Sequence, residues 1–427
     1  MSASTTGKST SISNNRQHIP IPWSKQHKQV TKTASGGLRY SLSNSFAEPL
    51  TTKELIEWSF ERGDQAIVHE YQNHSLEYTP NGGSWDLREA IAHLYDSNIT
   101  AQNVLVFPGA QVALQTVHRT LCHSGMHAIT FVPGYQSVVA GPAHCTSTGG
   151  TGCQLTQIPL RPENGWQIEI PKVEKAIQEN TRYIVINEPY NPAGTLMSLD
   201  TQKQLIALAK EHNIHILCDE VYRWLEHDPN DQIPAMAEAY PKGISCVTLS
   251  KPWGACGITI GWIATQDMEL MDLLTDWQYF GTACPSRASE LQAIMCLRES
   301  DRILARNLKI IRHNKALLAQ FISDNIDLFY WILPTAGAIA AIHFKGPLSS
   351  KELGDMLAAD GIGMKPAYCF NEEKNITPET DYFRVGFGES IMPAALDALR
   401  AFVEKHKDEW RRIMKAQTET TAATTTS

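Results

Sequence analysis

The chain has 427 residues, 42% of them hydrophobic, and its 37 basic and 45 acidic side chains give a formal net charge of −8. The length predicts two or three domains of an ordinary globular protein. An acidic balance without a concentrated Lys/Arg stripe argues against a nucleic-acid partner, and no apolar run reaches the roughly 18 residues of a membrane-spanning helix. The scattered cysteines predict no metal site and favour reduced thiols in a cytoplasmic protein.

Both ends of the chain are poor in apolar residues, so residues 1–21 and 416–427 are expected to be disordered tails. The body between them divides into three predicted parts. Residues 22–94 form an N-terminal segment that is expected to pack on both domains. Residues 95–297 form a large domain, and residues 298–415 form a linking helix and a small domain.

In the large domain, short β-branched runs alternate with amphipathic segments such as the helix predicted from Leu199 onward. Strands separated by single helices favour right-handed crossovers and a mainly parallel sheet with helices on both faces. Ligands bind such sheets beyond the carboxyl ends of the strands. The predicted strands span residues 104–107, 128–132, 183–187, 214–219 and 245–250.

After residue 297 the pattern changes, and a long amphipathic helix is predicted to lead into a smaller domain. The predicted fold class is α/β, with a mainly parallel sheet covered by helices in the large domain and a smaller α+β C-terminal domain. The predicted elements of this part are a helix at 302–325, an apolar segment at 337–344, a helix near 351–360, a strand at 383–387 and a last helix from 392 to about 406.

Polar side chains follow three consecutive predicted strands. Asn191 follows the strand at 183–187, Asp219 and Tyr222 close the next strand, and Lys251 follows the third in a loop with three glycines. A lysine in a glycine-rich surface turn needs no special role, but together these residues suit pyridoxal phosphate. Its aldehyde condenses with a lysine amine as a Schiff base. A carboxylate keeps its pyridine nitrogen protonated, and tyrosine and asparagine side chains can bond its phenolic oxygen.

Gly109, Ala110 and Gln111 follow the first predicted strand and open an apolar-periodic helix. Small residues at a helix N-terminus let backbone N–H groups approach an anion. An ordinary strand-to-helix turn would have the same sequence. Beside the lysine cluster, however, this turn is a candidate cradle for the cofactor phosphate.

Arg384 lies inside the predicted strand at 383–387. A guanidinium between apolar neighbours is costly unless it is paired, and its planar fork suits a carboxylate. The residue is therefore predicted either to form an internal salt bridge or to bind a carboxylate of the substrate.

Seven short stretches along the chain stand out together. They are Tyr78-Thr-Pro-Asn-Gly-Gly-Ser-Trp-Asp-Leu-Arg88, Pro108-Gly-Ala-Gln-Val-Ala-Leu114, Pro133-Gly-Tyr135, Asn191-Pro-Ala-Gly194, Asp219-Glu-Val-Tyr222, Ser250-Lys251 and Phe383-Arg384-Val385. On their order and spacing, the chain resembles the class I/II aminotransferases, which are fold-type I pyridoxal-phosphate enzymes, over nearly all of residues 47–404.

The resemblance implies a cofactor-binding large domain and a role for each matching residue. Lys251 would form the Schiff base, with Asp219 on the pyridine nitrogen and Tyr222 and Asn191 on the phenolic oxygen. Arg384, with Asn191, would bind the substrate's α-carboxylate. Tyr135 matches the family's ring-stacking aromatic residue, and Tyr78 matches a tyrosine that reaches the phosphate in the partner subunit of a homodimer. The predicted phosphate-binding residues are Gly109, Ala110, Gln111, Thr248, Ser250 and Thr259.

The chain departs from the family after the lysine. The family carries an arginine that binds the cofactor phosphate at the position where this chain has Thr259, which offers a hydroxyl but no charge. Either another cation compensates, or the phosphate depends more on backbone amides and on Thr248 and Ser250. Pro252 and Trp253 directly after the lysine are also unusual.

The resemblance implies an aminotransferase that acts on an L-amino acid with a 2-oxo acid as acceptor. Residues 133–142 and 187–191 also resemble capreomycidine synthase-like cyclases, which eliminate a group from a hydroxylated amino acid and close a ring. A catalytically silent relative and a cofactor-binding regulator are further alternatives, but the first 40 residues show no helix-turn-helix pattern. The side chains expected to line the substrate pocket are Glu188, Tyr190, Trp253 and Arg287.

Overall fold

The computed structural model of the chain describes residues 38–144 and 153–425. The predicted tail at 1–21 lies outside these residues. The strands are β1 (Tyr40–Ser41), β2 (Val104–Phe107), β3 (His127–Val132), β4 (Gln154–Pro159), β5 (Thr181–Asn187), β6 (His215–Asp219), β7 (Gly243–Thr248), β8 (Gly261–Thr265), β9 (Phe329–Trp331), β10 (Ile339–Phe344), β11 (Ile362–Gly363), β12 (Lys365–Pro366) and β13 (Phe383–Gly386).

The helices surround two main sheets. They are α1 (Thr52–Glu61), α2 (Gln65–Asn73), α3 (Trp85–Ala92), α4 (Ala110–Leu121), α5 (Gln136–Val139), α6 (Gly141–His144), α7 (Ile170–Ala176), α8 (Leu199–Glu211), α9 (Met236–Ala239), α10 (Met268–Gly281), α11 (Arg287–Arg298), α12 (Ser300–Asp324), α13 (Ser350–Ala359) and α14 (Met392–Thr425).

The larger sheet has seven strands in the order β2-β8-β7-β6-β5-β3-β4. Neighbours from β7 to β4 are parallel, whereas β8 is antiparallel to both β7 and β2. All six residues of β7 are buried, as a strand covered by helices on both faces requires. The expected mainly parallel α/β sheet is therefore confirmed, with one reversed strand that the sequence pattern did not reveal.

The smaller sheet has four antiparallel strands in the order β12-β13-β10-β9. Helices α12, α13 and α14 contribute Leu318, Leu353 and Leu399 to the core that covers it. This sheet and its helices form the expected α+β part of the chain.

Helix α14 is longer than expected. It was predicted to end near His406, but it runs to Thr425 and so includes residues 416–425 of the predicted tail. Trp410 and Met414 pack on the small-sheet core and continue the apolar face that Phe402 begins. This packing holds the helix beyond its expected end, so the predicted boundary is wrong.

Residues 42–48, here called the N-terminal strap, connect the two sheets. The Gly386 N–H of β13 donates to the Leu42 carbonyl at 2.7 Å, and the Ala47 N–H donates to the Lys251 carbonyl at 3.0 Å. A Cβ at Gly386 would lie 1.7 Å from the Asn44 carbonyl oxygen. The strap thus touches both β13 and the loop that carries Lys251.

Helices long and apolar enough to cross a membrane do not occur in the described part of the chain.

Replacing Gly386 with alanine tests the close approach of the strap. Gly386→Ala should destabilise the protein by about 1–3 kcal/mol, because the added methyl group would displace the strap from β13. Equilibrium urea unfolding measures this change. Gly281→Ala is the matched control, since no atom lies within 4 Å of its Cβ position. An equal effect of the two substitutions would contradict the packing described for the strap.

Candidate active site

The carboxyl ends of β5, β6 and β7 lie side by side. Asn187 pairs in register with Asp219, and Asp219 pairs with Cys246. Because parallel strands end at the same edge of a sheet, the loops that follow them are neighbours. These three loops carry the predicted site residues Asn191, Tyr222 and Lys251.

Lys251 lies in the turn beyond β7, which ends at Thr248 rather than at the predicted residue 250. The side chain is half-buried, and its Nζ donates to Ser45 Oγ at 3.0 Å. Burial and the positive charge of Arg384 lower the pKa of Lys251 to about 8, while Asp219 acts in the opposite direction. The amine therefore loses its proton more readily than an exposed lysine, as a nucleophile or a proton acceptor must.

Asp219 is the last residue of β6 and is 3% exposed. Its Oδ1 has no hydrogen-bond partner among the described residues. Burial raises the pKa of this carboxyl to about 7, although the Val221 N–H and the Lys251 charge favour its ionised form. A buried carboxylate with an unpaired oxygen is costly, and a cationic N–H donor would remove that cost.

Ser45 of the strap contacts two of the predicted site residues. It accepts a hydrogen bond from Lys251 Nζ and shares another with the Tyr222 hydroxyl. Burial raises the pKa of Tyr222 to about 12, so the phenol keeps its proton at neutral pH. Sequence reasoning missed Ser45, because a single serine in an aperiodic segment carries no signal.

Arg384 extends from β13 and is 2% exposed. Its Nη2 donates to the Ser43 carbonyl at 2.6 Å and its Nη1 to Asn191 Oδ1 at 3.3 Å, while Nε has no partner among the described residues. Burial lowers the pKa of Arg384, and the groups that favour its charged form are tyrosines and Cys369 rather than carboxylates. Of the two predicted roles, carboxylate binding fits this geometry and an internal salt bridge does not.

Gly109 precedes helix α4 with a φ of +92°, a conformation that favours glycine. No side chain caps this 12-residue helix, so its first N–H groups are available to an anion. Gly261 packs against the turn, because a Cβ there would lie 2.6 Å from the Ala110 nitrogen. The N-terminus of α4 has the form expected of the phosphate cradle.

Three hydroxyl-bearing residues lie near this turn. Thr248 pairs with Gly261 across β7 and β8, and its Oγ1 lies 3.0 Å from Ser250 Oγ. A Cβ at Gly109 would lie 3.7 Å from Thr259 Cγ2. The structure therefore brings Thr248, Ser250 and Thr259 to the same end of the site.

Tyr135 lies directly before helix α5, between the phosphate turn and the carboxylate. Its hydroxyl accepts a hydrogen bond from Gln111 Nε2, and Gln111 belongs to the first turn of α4. Burial and the nearby Asp219 charge raise the pKa of Tyr135. This placement suits the predicted contact with the cofactor ring.

Glu188 and Tyr190 line one cavity together with Tyr135 and Asn191. Burial raises the pKa of Glu188 to about 8, and one of its oxygens accepts a hydrogen bond from the Met197 N–H at 2.9 Å. These two of the four predicted pocket residues are thus placed beside the site.

The other two predicted pocket residues have structural roles. Trp253 is 0% exposed, packs on Trp262 in the core and donates from Nε1 to Ser300 Oγ at 2.9 Å. Arg287 forms salt bridges with Glu70 and Glu290. The expectation that Trp253 lines the pocket is therefore wrong, because an aromatic side chain beside a lysine can equally well face the core, whereas the expectation for Arg287 stays a prediction.

Tyr78 is not packed into this cluster. Its side chain is 94% exposed, so its own chain covers almost none of it.

Comparison with known proteins identifies the class of this chain. The family model "Aminotransferase class I and II" matches residues 50–399, and the chain belongs to that family. Members are pyridoxal-phosphate-dependent transferases, so the expected enzyme class is confirmed.

Individual relatives agree with this membership. Tyrosine aminotransferase from Bos taurus is 23% identical over 429 residues, and the match covers 90% of each chain. Capreomycidine synthase from Streptomyces vinaceus is 26% identical over 254 residues, which cover 58% of this chain and 63% of that protein. The solved structure of a PLP-dependent aminotransferase from Streptococcus suis superposes with a TM-score of 0.81 at 25% identity, covering 91% of this chain and 98% of the other.

The residues of the site fit pyridoxal phosphate. The unpartnered Oδ1 of Asp219 suits a protonated ring nitrogen, and the uncapped helix that follows Gly109 suits a phosphate. Lys251 lies close enough to Asp219 for each charge to shift the other's pKa. Within one chain, this donor set lacks Tyr78, which is exposed, and the expected phosphate-binding arginine, where the chain has Thr259.

The buried Asp219 carboxyl predicts how the stability of the cofactor-free protein depends on pH. Its folded-state pKa of about 7 exceeds the ordinary value near 4, so the folded state loses stability as the pH rises through that interval. Asp219→Asn removes this loss. The cofactor-free variant should therefore unfold at a higher temperature than wild type at pH 8, with a smaller difference at pH 5.

Thermal unfolding followed by circular dichroism measures both proteins at each pH. Asp272→Asn, an exposed carboxyl on helix α10, serves as the control and should show no such dependence. An equal difference in unfolding temperature between Asp219→Asn and wild type at pH 5 and pH 8 would contradict the placement of Asp219 as a buried carboxyl with an unpaired oxygen.

Proposed function

We propose that this protein is an aminotransferase that moves the amino group of an L-amino acid to a 2-oxo acid. The observation that carries this proposal is the buried, unpartnered carboxylate oxygen of Asp219 beside the half-buried amine of Lys251. In a purely structural ion pair, both carboxylate oxygens would have partners. An unpaired oxygen instead leaves room for a cationic ring nitrogen, as a cofactor site requires.

Pyridoxal phosphate would supply an aldehyde that binds amines and a ring that accepts electrons. Asp219 would hold its ring nitrogen, and Tyr222 and Asn191 would bond its phenolic oxygen. Tyr135 would cover one face of the ring. These four side chains converge from the loops and strand ends after β3, β5 and β6.

Lys251 would accept and return the proton of the substrate's Cα atom. The lowered pKa of its amine, about 8, lies near the pH at which such an enzyme works, and this match favours proton transfer in both directions. Ser45 would hold Nζ on the side of the Tyr222 hydroxyl. The strap thus restricts where the amine can point.

Arg384 would bind the substrate's α-carboxylate. Its guanidinium is oriented by Asn191 and by the Ser43 carbonyl, and Nε is left without a partner among the described residues. A carboxylate that enters would stabilise a cation that is otherwise buried among tyrosines and a thiol. The contact between Arg384 and this carboxylate would thus both bind the substrate and orient it.

The phosphate would be held without the family's arginine. Backbone N–H groups at the N-terminus of α4 and the hydroxyls of Thr248, Ser250 and Thr259 converge at one end of the site. A helix N-terminus carries about half a positive charge, which favours an anion. This arrangement supports phosphate binding by dipoles and hydroxyl groups.

Elimination followed by ring closure is the second candidate. Two observations favour it: the similarity to capreomycidine synthase and the raised pKa of Glu188, about 8, in the cavity beside Asn191. A carboxyl that stays protonated at neutral pH can donate a proton to a leaving hydroxyl group. Because the same lysine would serve both reactions, only the products that form can distinguish amino transfer from elimination.

We also propose that the enzyme is a homodimer in which Tyr78 completes the partner's site. Tyr78 is 94% exposed, and other large apolar side chains are exposed on the same chain. Two of them, Tyr279 and Phe280, contact each other edge to face, and exposed apolar patches are typical of interaction surfaces. The most exposed of these side chains are Leu76, Phe280, Ile326 and Tyr279.

The eight cysteines that the structure describes form no disulfide. Cysteines without disulfides support our proposal that the enzyme works in the reducing cytoplasm.

Amino transfer is tested by incubating the cofactor-loaded protein with single amino acids and 2-oxoglutarate. Wild type should convert the cofactor to its amino form, which absorbs near roughly 330 nm, and should release glutamate. Lys251→Ala should reduce the rate by about 10³-fold or more, because it removes the amine proposed to move the Cα proton. Lys242→Ala, away from the site, is the control.

Chromatography of the same mixtures decides between the candidates. Release of water or of a cyclic product without glutamate would favour elimination and ring closure. Conversion at equal rates by wild type and Lys251→Ala would contradict both.

The shared site is tested by mixing two inactive chains. Lys251→Ala and Tyr78→Ala homodimers should each be weakly active, the second through loss of a phosphate contact worth about 1–3 kcal/mol. In a mixed dimer, the chain that retains Lys251 receives Tyr78 from its partner, so one intact site per dimer should recover about half of wild-type activity per dimer.

The two chains are refolded or co-expressed with different tags, and the mixed dimer is purified before assay. If Tyr78 acted within its own chain, mixing would restore no intact site. Activity no higher than the mean of the two parents would therefore exclude the shared arrangement.

A further inference from the structure

Two cysteines lie in contact at the end of helix α4. Cys122 directly follows the helix, and Cys153 directly precedes β4, the edge strand of the seven-stranded sheet. The Gln154 N–H donates to the Met126 carbonyl at 2.8 Å, which holds the start of β4 beside the turn that follows α4. The two thiols form a hydrogen bond with each other, and both belong to one buried apolar cluster. Two residues far apart in the sequence thus bring their sulfur atoms together.

The hydrogen bonds around Cys122 make its thiol a donor. His118 Nε2 lies 2.8 Å from the Ser137 carbonyl oxygen, which can only accept, so Nε2 carries a proton. Burial lowers the pKa of His118 to about 4, so the ring is neutral and its Nδ1 accepts from the Tyr183 hydroxyl at 3.0 Å. The Tyr183 oxygen can then accept from the Cys122 thiol, whose Sγ lies 2.7 Å away. Cys122 is therefore the thiol that keeps its proton.

Cys153 ionises more easily than an ordinary cysteine. Its hydrogen bond with Cys122 lowers the pKa of the Cys153 thiol, while burial opposes this effect. A thiolate is the form of cysteine that reacts with oxidants. The residue is 5% exposed, so a small oxidant such as hydrogen peroxide reaches it more readily than a bulky disulfide does. An ionisable thiol in contact with a second thiol is the arrangement typical of a redox-active pair.

We propose that Cys122 and Cys153 form a reversible intrachain disulfide when the protein meets hydrogen peroxide. The Cys153 thiolate attacks one peroxide oxygen and the O–O bond breaks, so the sulfur becomes a sulfenic acid. The hydroxide that leaves takes up the proton that Cys153 released. Cys122 then attacks the sulfenic sulfur, and its proton leaves with the hydroxyl group as a second water. Glutathione, itself oxidised to its disulfide, reduces the bond again to two thiols.

The disulfide would join the edge strand β4 to the end of helix α4. It would close a loop from residue 122 to residue 153 that contains β3, the strand neighbour of β4. Such a bond stabilises a protein mainly by restricting its unfolded chain. The oxidised protein should therefore unfold at a temperature about 3–8 °C above that of the reduced protein. None of these steps uses the proposed cofactor site, so the inference does not depend on amino transfer.

The pairing is tested by peptide mass spectrometry of the cofactor-loaded protein after treatment with hydrogen peroxide. Chymotrypsin cleaves after Phe131 and Tyr135, which separates the peptide with Cys122 from the peptide with Cys153. The two peptides should be found linked, with the loss of two hydrogen atoms, and dithiothreitol should separate them. Thermal unfolding before and after oxidation measures the expected rise.

Serine variants make the result specific. Cys145 lies in the same chymotryptic peptide as Cys153, so Cys145→Ser is the matched control and should still form the link and show the rise in unfolding temperature. Cys122→Ser and Cys153→Ser should show neither. If either of these variants does not fold, the linked peptides of Cys145→Ser decide. Oxidation of the exposed Cys256 shows in every sample that peroxide reached the protein.

Three outcomes would overturn the proposal. In the first, Cys256 is oxidised but no link from Cys122 to Cys153 forms. In the second, the link is lost in Cys145→Ser, which would make Cys145 the partner of Cys122. In the third, the link forms only as the protein unfolds, so that oxidation lowers the unfolding temperature or leaves it unchanged.

Discussion

The structure depends on keeping charged groups buried where two sheets meet. Asp219 and Arg384 are each at most 3% exposed, and each has an atom without a hydrogen-bond partner among the described residues. Such groups cost several kcal/mol apiece unless an opposite charge joins them. This cost must be offset by the burial of apolar surface in the surrounding core. Strand β7 of the seven-stranded sheet, buried over its whole length, is part of that core.

The N-terminal strap makes the two halves of the site one unit. Through Ser45, Ser43 and Ala47 it contacts Lys251 and Tyr222 of the large sheet and Arg384 of the small one. A shift of the small sheet would therefore move the carboxylate-binding guanidinium and the reactive amine together. The substrate binding proposed for Arg384 and the proton transfer proposed for Lys251 would thus be linked through a segment of seven residues.

Much of this arrangement could be predicted from the sequence, because buried parallel strands are continuous apolar runs and the polar residues that follow them are conspicuous. The positions of Asp219 and Lys251 follow from that pattern. Three features could not be predicted in this way, since each depends on contacts between residues far apart in the chain. They are the contacts of Ser45, the reversed strand β8 and the cross-strand neighbour of Arg384. Trp253 shows the limit of local reasoning: adjacency to Lys251 places it near the site, but its side chain faces the core.

Thr259 and Lys365 together describe how positive charge is distributed in this site. At the proposed phosphate end, a hydroxyl stands where the family's arginine is expected, so the attraction would come from the dipole of α4 and from backbone N–H groups. At the carboxylate end, Arg384 gains a second cation as its strand neighbour. Like charges repel, and an arginine at position 259 would add a further cation to a site that already lowers the pKa of Lys251 to about 8. In the proposed site, the smaller positive charge beside the cofactor phosphate would therefore leave the amine of Lys251 easier to deprotonate.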